Sequence, residues 1–281
     1  MNANAIWEES IAAATAIENP SHPIARRVRD ILRAGNSARR TVLIDDEENI
    51  VQALRSGVRL ESLYFAEHGP VVNEEVLAAT ISSRIPVHRV AVSTLAAIFG
   101  PEKRTRVFAL ADRPRPRTLA DLARMEGDVV VLDGVRLAGN IGAITRSAAA
   151  LGAAGVILID SGITSTYDRR LIRASRGLVF SLPVVLSTHQ QVADFLRETS
   201  IMLVGLAADA SAPLAELSEI PGRLALLLGS ERAGASEALV ALASRHYTIP
   251  IDPGIDSLNV SVAGAIALYE RGRGTQAHAH P

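Results

Sequence analysis

The chain has 281 residues, 48% of them apolar, a net charge of −1 and no cysteine. That length allows one large or two ordinary domains with a sizeable core. The composition excludes a disulfide framework and a thiolate metal site, and the near-neutral charge argues against wholesale coating of a polyanion.

At the start, residues 1–19 carry Glu8, Glu9 and Glu18 but no basic segment, so they do not read as a signal peptide. No apolar run reaches the ~18 residues of a membrane span. A cytoplasmic protein with no membrane partner is expected. All but one of the 29 basic residues are arginine, the exception being Lys103. A GC-rich genome gives that bias, and so does a need for bidentate phosphate pairing.

Residues 11–34 read as a helix interrupted around Asn19, Pro20 and Pro23. In its second half Ile24, Val28, Ile31 and Leu32 share one face, and Arg26, Arg29 and Arg33 another. These arginines are either a solvated face or a stripe toward RNA. Residues 41–44 read as a strand. Asp45, three residues before Glu48, fits a capping box for a helix through Leu54. Strands over 60–66 and 86–90 alternate with helices over 74–81 and 92–99, which predicts a small α/β/α domain over residues 1–110. Lys103, Arg104 and Arg106 then sit on a Gly-Pro loop, suited to phosphate contacts. Alternating proline and arginine follow, so residues 111–125 read as a stiff cationic linker.

Residues 126–281 form the second predicted domain. Apolar strands over 128–133, 155–160, within 178–186, and over 201–207, 224–229 and 249–251 alternate with helices. The helices are expected after the stretch Gly134 to Arg146 through Leu151, and over 168–175, 190–198 and 236–244. Fully apolar strands between helices predict a mostly parallel sheet covered on both faces, closed by 249–251. Such sheets bind ligands beyond the carboxyl ends of their strands. Asn140, Arg146, Leu206, Gly229 to Gly234, Ser257 and Asn259 all follow strands in that way. No Gly-x-Gly-x-x-Gly turn and no Gly-Lys-Ser/Thr loop is present, which disfavours a nicotinamide cofactor or a phosphate-loop nucleotide. Asp256 or Ser257 is expected to cap a last helix of small apolar residues. Gly264 in that helix suggests close approach of another backbone. His278 and His280 read as a frayed tail rather than metal ligands, and no metal is expected.

Three segments carry a resemblance: Asn140-Ile-Gly-Ala-Ile-Thr-Arg146, Leu227-Leu-Gly-Ser-Glu-Arg-Ala-Gly234, and Ile249-Pro-Ile with Ser257-Leu-Asn-Val-Ser-Val-Ala263. In this order they resemble the motifs of the SpoU (TrmH-like) branch of the SPOUT RNA methyltransferases. Asp133 to Ile144 and Arg169 to Leu186 look like the thiostrepton and nosiheptide resistance methyltransferases within it. The resemblance implies a parallel sheet with a deep trefoil knot near its C-terminus and a ribosomal-protein-like RNA-binding domain before it. The implied activity is methyl transfer from S-adenosylmethionine to the ribose 2′-hydroxyl of an adenosine in the GTPase-centre loop of 23S rRNA. A homodimer formed through the knot is also implied. The same chemistry on a tRNA guanosine, or a non-catalytic ribosome-binding protein, remains as an alternative.

Roles carry over to matching residues. Arg146 is the expected catalytic arginine. A guanidinium stays protonated, so it is read as a phosphate clamp that orients the 2′-oxygen rather than as a base. Asn140 and Asn259 would hold the knot loops or the ribose, or make a structural hydrogen bond. Glu231 would meet the cofactor ammonium or order nearby loops. The implied cofactor pocket comprises Leu206, Gly229, Ser230, Glu231, Ile249, Pro250, Ile251, Asp256, Ser257, Leu258, Asn259, Val260 and Ser261, with Arg176 at the methionine end. Arg173 would contact RNA.

Overall fold

The computed structural model describes residues 14–33, 40–67, 73–100, 105–252, 254–255 and 257–276. Lys103, Arg104, Asp256, His278 and His280 lie outside them. The chain divides into two compact units, Met1–Arg115 with Tyr167–Ser181, and Pro116–Thr166 with Leu182–Pro281.

The first unit has a five-stranded sheet in the order β1-β4-β3-β5-β2. Its strands are β1 (Thr15–Ile17), β2 (Thr41–Asp45), β3 (Leu60–Ala66), β4 (Val87–Val90) and β5 (Val107–Asp112). β5 runs antiparallel to β2 and β3, and β1, β3 and β4 are parallel. Its helices are α1 (Pro23–Arg33), α2 (Glu47–Arg55), α3 (Glu74–Ser82) and α4 (Val92–Phe99). α1 buries Ala25, Val28 and Ile31 with Leu95 and Phe99 of α4, against Tyr64, Phe108 and Leu110 of the sheet. The apolar stripe foreseen in the sequence drives this packing. The expected helix before Asn19 is instead, where described, the edge strand β1, because Thr15–Ile17 pairs in register with His88–Val90.

The acidic run after β2 departs from its expected capping role. Asp45 is fully buried and pairs with Arg169 and Arg173. Asp46, at φ 67°, is the residue before α2, and its side chain makes no capping hydrogen bond. Arg169 and Arg173 belong to α7 (Arg169–Ala174), which the sequence placed with the C-terminal half. Arg169 also lies over the Phe99 ring, 4.9 Å from its centroid. Gly177, at φ +77°, lets the chain pass the backbone of Asn49, where a Cβ would overlap Gln52.

The second unit holds a seven-stranded sheet in the order β10-β12-β9-β11-β6-β7-β8. Its strands are β6 (Val129–Asp133), β7 (Gly155–Ile159), β8 (Val184–Ser187), β9 (Met202–Leu206), β10 (Ala212–Pro213), β11 (Leu224–Gly229) and β12 (Arg245–Thr248). Every pairing in it is parallel, as the apolar strands predicted. Its helices are α5 (Leu119–Ala123), α6 (Ala138–Ala150), α8 (His189–Thr199), α9 (Glu237–Val240) and α10 (Val260–Gln276). Leu122, Val192, Phe195 and Leu239 join one face of the sheet in a common core. α10 meets the other side, where a Cβ on Gly264 would stand 2.8 Å from Leu228 and 3.7 Å from Ile144. Gly264 thus admits two side chains rather than another backbone.

Three further expectations shift. Residues 111–125 are not all linker: β5 runs through Asp112, and Thr118 opens α5 with a capping box to Asp121. The predicted helix over 236–244 is only the single turn α9. The closing strand is not 249–251 but Arg245–Thr248, flanked by β10 at the sheet edge. Pro250 has no N–H for a ladder, so the chain leaves the sheet there.

Candidate functional site

The three motif loops meet beyond the carboxyl ends of the central strands. Gly229 at the end of β11 is registered against Asp133 at the end of β6. This is where strand order reverses, since β11 inserts between β6 and β9, and such switch points hold ligands in open parallel sheets. After β11 the chain folds back on itself, with Ser230 and Gly234 exchanging two backbone hydrogen bonds of 2.9 Å. A Cβ on Gly229 would collide with the backbone of Gly234 and Ala235, so only glycine fits.

Glu231 binds the loops together. Its Oε1 accepts from Asn140 Nδ2 at 3.2 Å, Asn259 Nδ2 at 2.7 Å and Val260 N at 3.3 Å. Asn259 Nδ2 also reaches Asn140 Oδ1 at 3.3 Å. Asn259 Oδ1 accepts from Ser261 N at 2.9 Å and Ser261 Oγ at 2.6 Å. Asn259 rather than Ser257 therefore caps α10, because that helix begins only at Val260.

Beside this cluster lies a cavity of about 490 Å³. Of the residues expected to hold the cofactor, Leu206, Gly229, Ser230, Glu231, Ile249, Ile251, Ser257, Leu258 and Val260 line it. Pro250, Asn259 and Ser261 are adjacent in the chain but do not line it. Gly205, Leu227, Val240, His246 and Tyr247 do line it and were not anticipated. Gly205 stands out inside an apolar strand, but His246 lies in the polar stretch Arg-His-Tyr-Thr, and strand pairing was needed to bring them together.

Arg146 stands six residues after Asn140 on α6, about 9 Å further along the axis. It is exposed and has no ion pair among the described residues. Arg26 and Arg106 are exposed, and Arg29 Nη2 donates to Pro20 O at 3.1 Å. Arg173 and Arg176 have acidic partners in the first unit. Arg173 lies 3.3 Å from Asp46, and Arg176 lies 3.3 Å from Glu48. Burial, followed by the neighbouring Asp45, pushes the Asp46 carboxyl above its ordinary range, against the pull of Arg173.

Asp133 is a brace that sequence reasoning missed. Buried at the end of β6, it accepts from Ser236 N at 2.7 Å and sits 3.0 Å from His189 Nε2. With Asp160 it brings three ligand-type atoms within 4.8 Å. Both Asp133 oxygens are already engaged, which suits a support for the 230–236 loop better than an open metal site.

Residues 14–125 match a family described as Thiostrepton-resistance methylase, N terminus, and residues 128–269 match the SpoU rRNA Methylase family. The chain is 44% identical over 255 residues to the 23S rRNA (adenosine(1067)-2'-O)-methyltransferase of Streptomyces azureus, covering 91% of this chain and 94% of that protein. The similarly named protein of Streptomyces laurentii is 42% identical over 257 residues, covering 92% and 95%. An AdoMet-bound rRNA methyltransferase from Sinorhizobium meliloti superposes with a TM-score of 0.78 at 26% identity, covering 92% of this chain and 98% of that one. The chain thus belongs to the SpoU rRNA methylase family, with the N terminus typical of the thiostrepton-resistance methylases.

Proposed function

We propose that this protein transfers a methyl group from S-adenosylmethionine to the ribose 2′-hydroxyl of an adenosine in the GTPase-centre loop of 23S rRNA, conferring resistance to thiopeptide antibiotics. The observation that carries the reading is the junction of Asn140, Glu231 and Asn259 at the cavity. One hydrogen-bonded group ties together the first turn of α6, the loop after β11 and the start of α10.

The cavity suits the cofactor. Its volume falls in the ordinary range for small-molecule sites. Leu227, Leu228, Ile249, Ile251 and Leu258 offer an apolar slot for a flat base, and Gly229 allows backbone amides to approach. When bound, the cofactor supplies a methyl carbon on a sulfonium, already a good leaving group. The protein's share of the work is then positioning. Glu231 keeps the loops in register. Arg146, exposed and without an ion pair among the described residues, clamps an RNA phosphate and turns the 2′-oxygen toward the methyl carbon. Its permanent charge rules it out as the base.

The reading also includes a knotted C-terminal segment, an RNA-binding role for the first unit through Arg26, Arg29 and Arg106, and a cytoplasmic homodimer. Val262, Ile266 and Tyr269 support the dimer: they recur at helical spacing on α10 and are 46%, 37% and 61% exposed. A radiolabelled methyl-transfer assay with a 23S rRNA fragment, run beside tRNA, tests the substrate. Labelling of the rRNA fragment alone is expected, and labelling of tRNA alone overturns it.

A further inference from the structure

His189 stands where both motif loops are tied to the sheet edge. It opens α8, held there by a capping box in which Thr188 and Gln191 exchange hydrogen bonds. Its ring reaches the carboxyl ends of β6 and β7. Nε2 lies 3.0 Å from Asp133 Oδ1, and Nδ1 lies 4.0 Å from Asp160 Oδ2. Asp133 is 4% exposed. An ionised carboxylate only accepts, so Nε2 is the nitrogen that carries the proton toward it. The other oxygen of Asp133 accepts from Ser236 N at 2.7 Å. Ser236 closes the loop that carries Glu231, and Ser230, Glu231, Gly234 and Ala235 of that loop line the cavity. On the opposite side, the Asp160 carbonyl accepts from Arg136 Nε at 3.3 Å, four residues before Asn140.

We propose that His189 is a positioning residue for methyl transfer. Its Nε2–H fixes the Asp133 carboxylate, which fixes Ser236 N and so the place of Glu231 at the cavity. The proposal rests on the methyltransferase reading of that cavity. The last torsion of an aspartate is soft, so the bond to Ser236 alone leaves the carboxylate plane free to turn. A second bond, from the capped start of a helix, removes that freedom. The loop passes the constraint on because it is short and closed by the paired backbone bonds of Ser230 and Gly234. His189 itself touches neither cofactor nor RNA in this scheme.

Methyl transfer from S-adenosylmethionine to a 23S rRNA fragment, with melting temperatures of the same full-length variants, tests this. A glutamine amide nitrogen falls near the position of histidine Nε2, and an asparagine amide nitrogen near that of Nδ1. H189Q should therefore keep kcat close to wild type. H189N and H189L should lower it about tenfold, less than the roughly hundredfold that a 1 Å misplacement brings. The KM for RNA should stay unchanged in all three. S236P removes the N–H that Asp133 accepts, at φ −63° where proline fits, and should lower kcat as H189L does. If H189L does not fold, H189N and S236P decide. H189N as active as H189Q overturns the proposal. So does a wild-type kcat in H189L and S236P, with or without a lowered melting temperature. Wild type that transfers no methyl group overturns the enzymatic reading and this proposal with it, whereas active wild type beside equally active variants overturns the proposal alone.

Discussion

Glu231 concentrates the site in a single oxygen, which three donors from two other chain segments approach. The group is exposed, so water can replace it thermodynamically, while nothing replaces its geometry. Glu231→Ala is expected to lower methyl transfer on the order of a hundredfold, the scale for slight misplacement of reacting groups. Its melting temperature should move by only a few degrees. A drop in melting temperature matching the loss of rate would make the residue structural instead. His88 governs a different property. It is half-buried and stacks on Tyr64 with centroids 4.9 Å apart, and its Nδ1 is buried without a partner. Burial, and then His22, lower its pKa from 6.5. Below that pH the unfolded chain takes up a proton that the folded one refuses, so stability falls as pH drops toward the folded value. Above it both states are neutral and this contribution is flat. Denaturant titrations should give a smaller loss between pH 7.5 and 5.5 in His88→Phe than in wild type. Asn140, Glu231 and Asn259 were legible in the sequence because each sits in a compact motif. Asp133 and His246 were not, since their partners Ser236, His189 and Gly205 are remote in the chain and meet only through strand pairing.

Among the elements, α10 depends on one side chain. Arg271 is 11% exposed and pairs with Asp128 at 2.8 Å. It also donates to the carbonyls of Leu217, Ile220 and Gly222. Removing it strands a carboxylate and three acceptors. Arg271→Ala should therefore cost roughly 3–5 kcal/mol in unfolding free energy. Arg271→Lys should recover little, because an ammonium cannot reproduce the planar fork. Recovery by lysine would show that charge alone suffices. The helices were largely readable from apolar periodicity, and α1 is the clearest case. What periodicity could not supply is the destination of α7. Its Arg-rich pattern fits a solvated helix equally well, whereas the fold uses Arg169 and Arg173 to neutralise the buried Asp45. For the same reason Asp45 and Glu48 looked like a capping box: local spacing cannot register a partner 124 residues away.

At the scale of the whole molecule, the parallel character of the second sheet followed from strands that are apolar on both faces. Its order did not, because inserting β11 between β6 and β9 depends on long-range pairing that leaves no local trace. That insertion is what brings the motif loops to one cavity. With a net charge near zero, the proposed RNA contact rests on local arginine patches. Binding of an rRNA fragment should still weaken on the order of tenfold or more between 50 and 200 mM salt if several phosphates are contacted. Salt-independent binding would remove phosphate contacts from the account. The most direct measurement is to map ribose methylation by primer extension on unmodified 23S rRNA incubated with S-adenosylmethionine and the protein, wild type beside Arg146→Ala. One new 2′-O-methyl adenosine in the GTPase-centre loop is expected with wild type and none with the variant, while the variant still binds the cofactor. Methylation elsewhere, or an undiminished signal from Arg146→Ala, would contradict it.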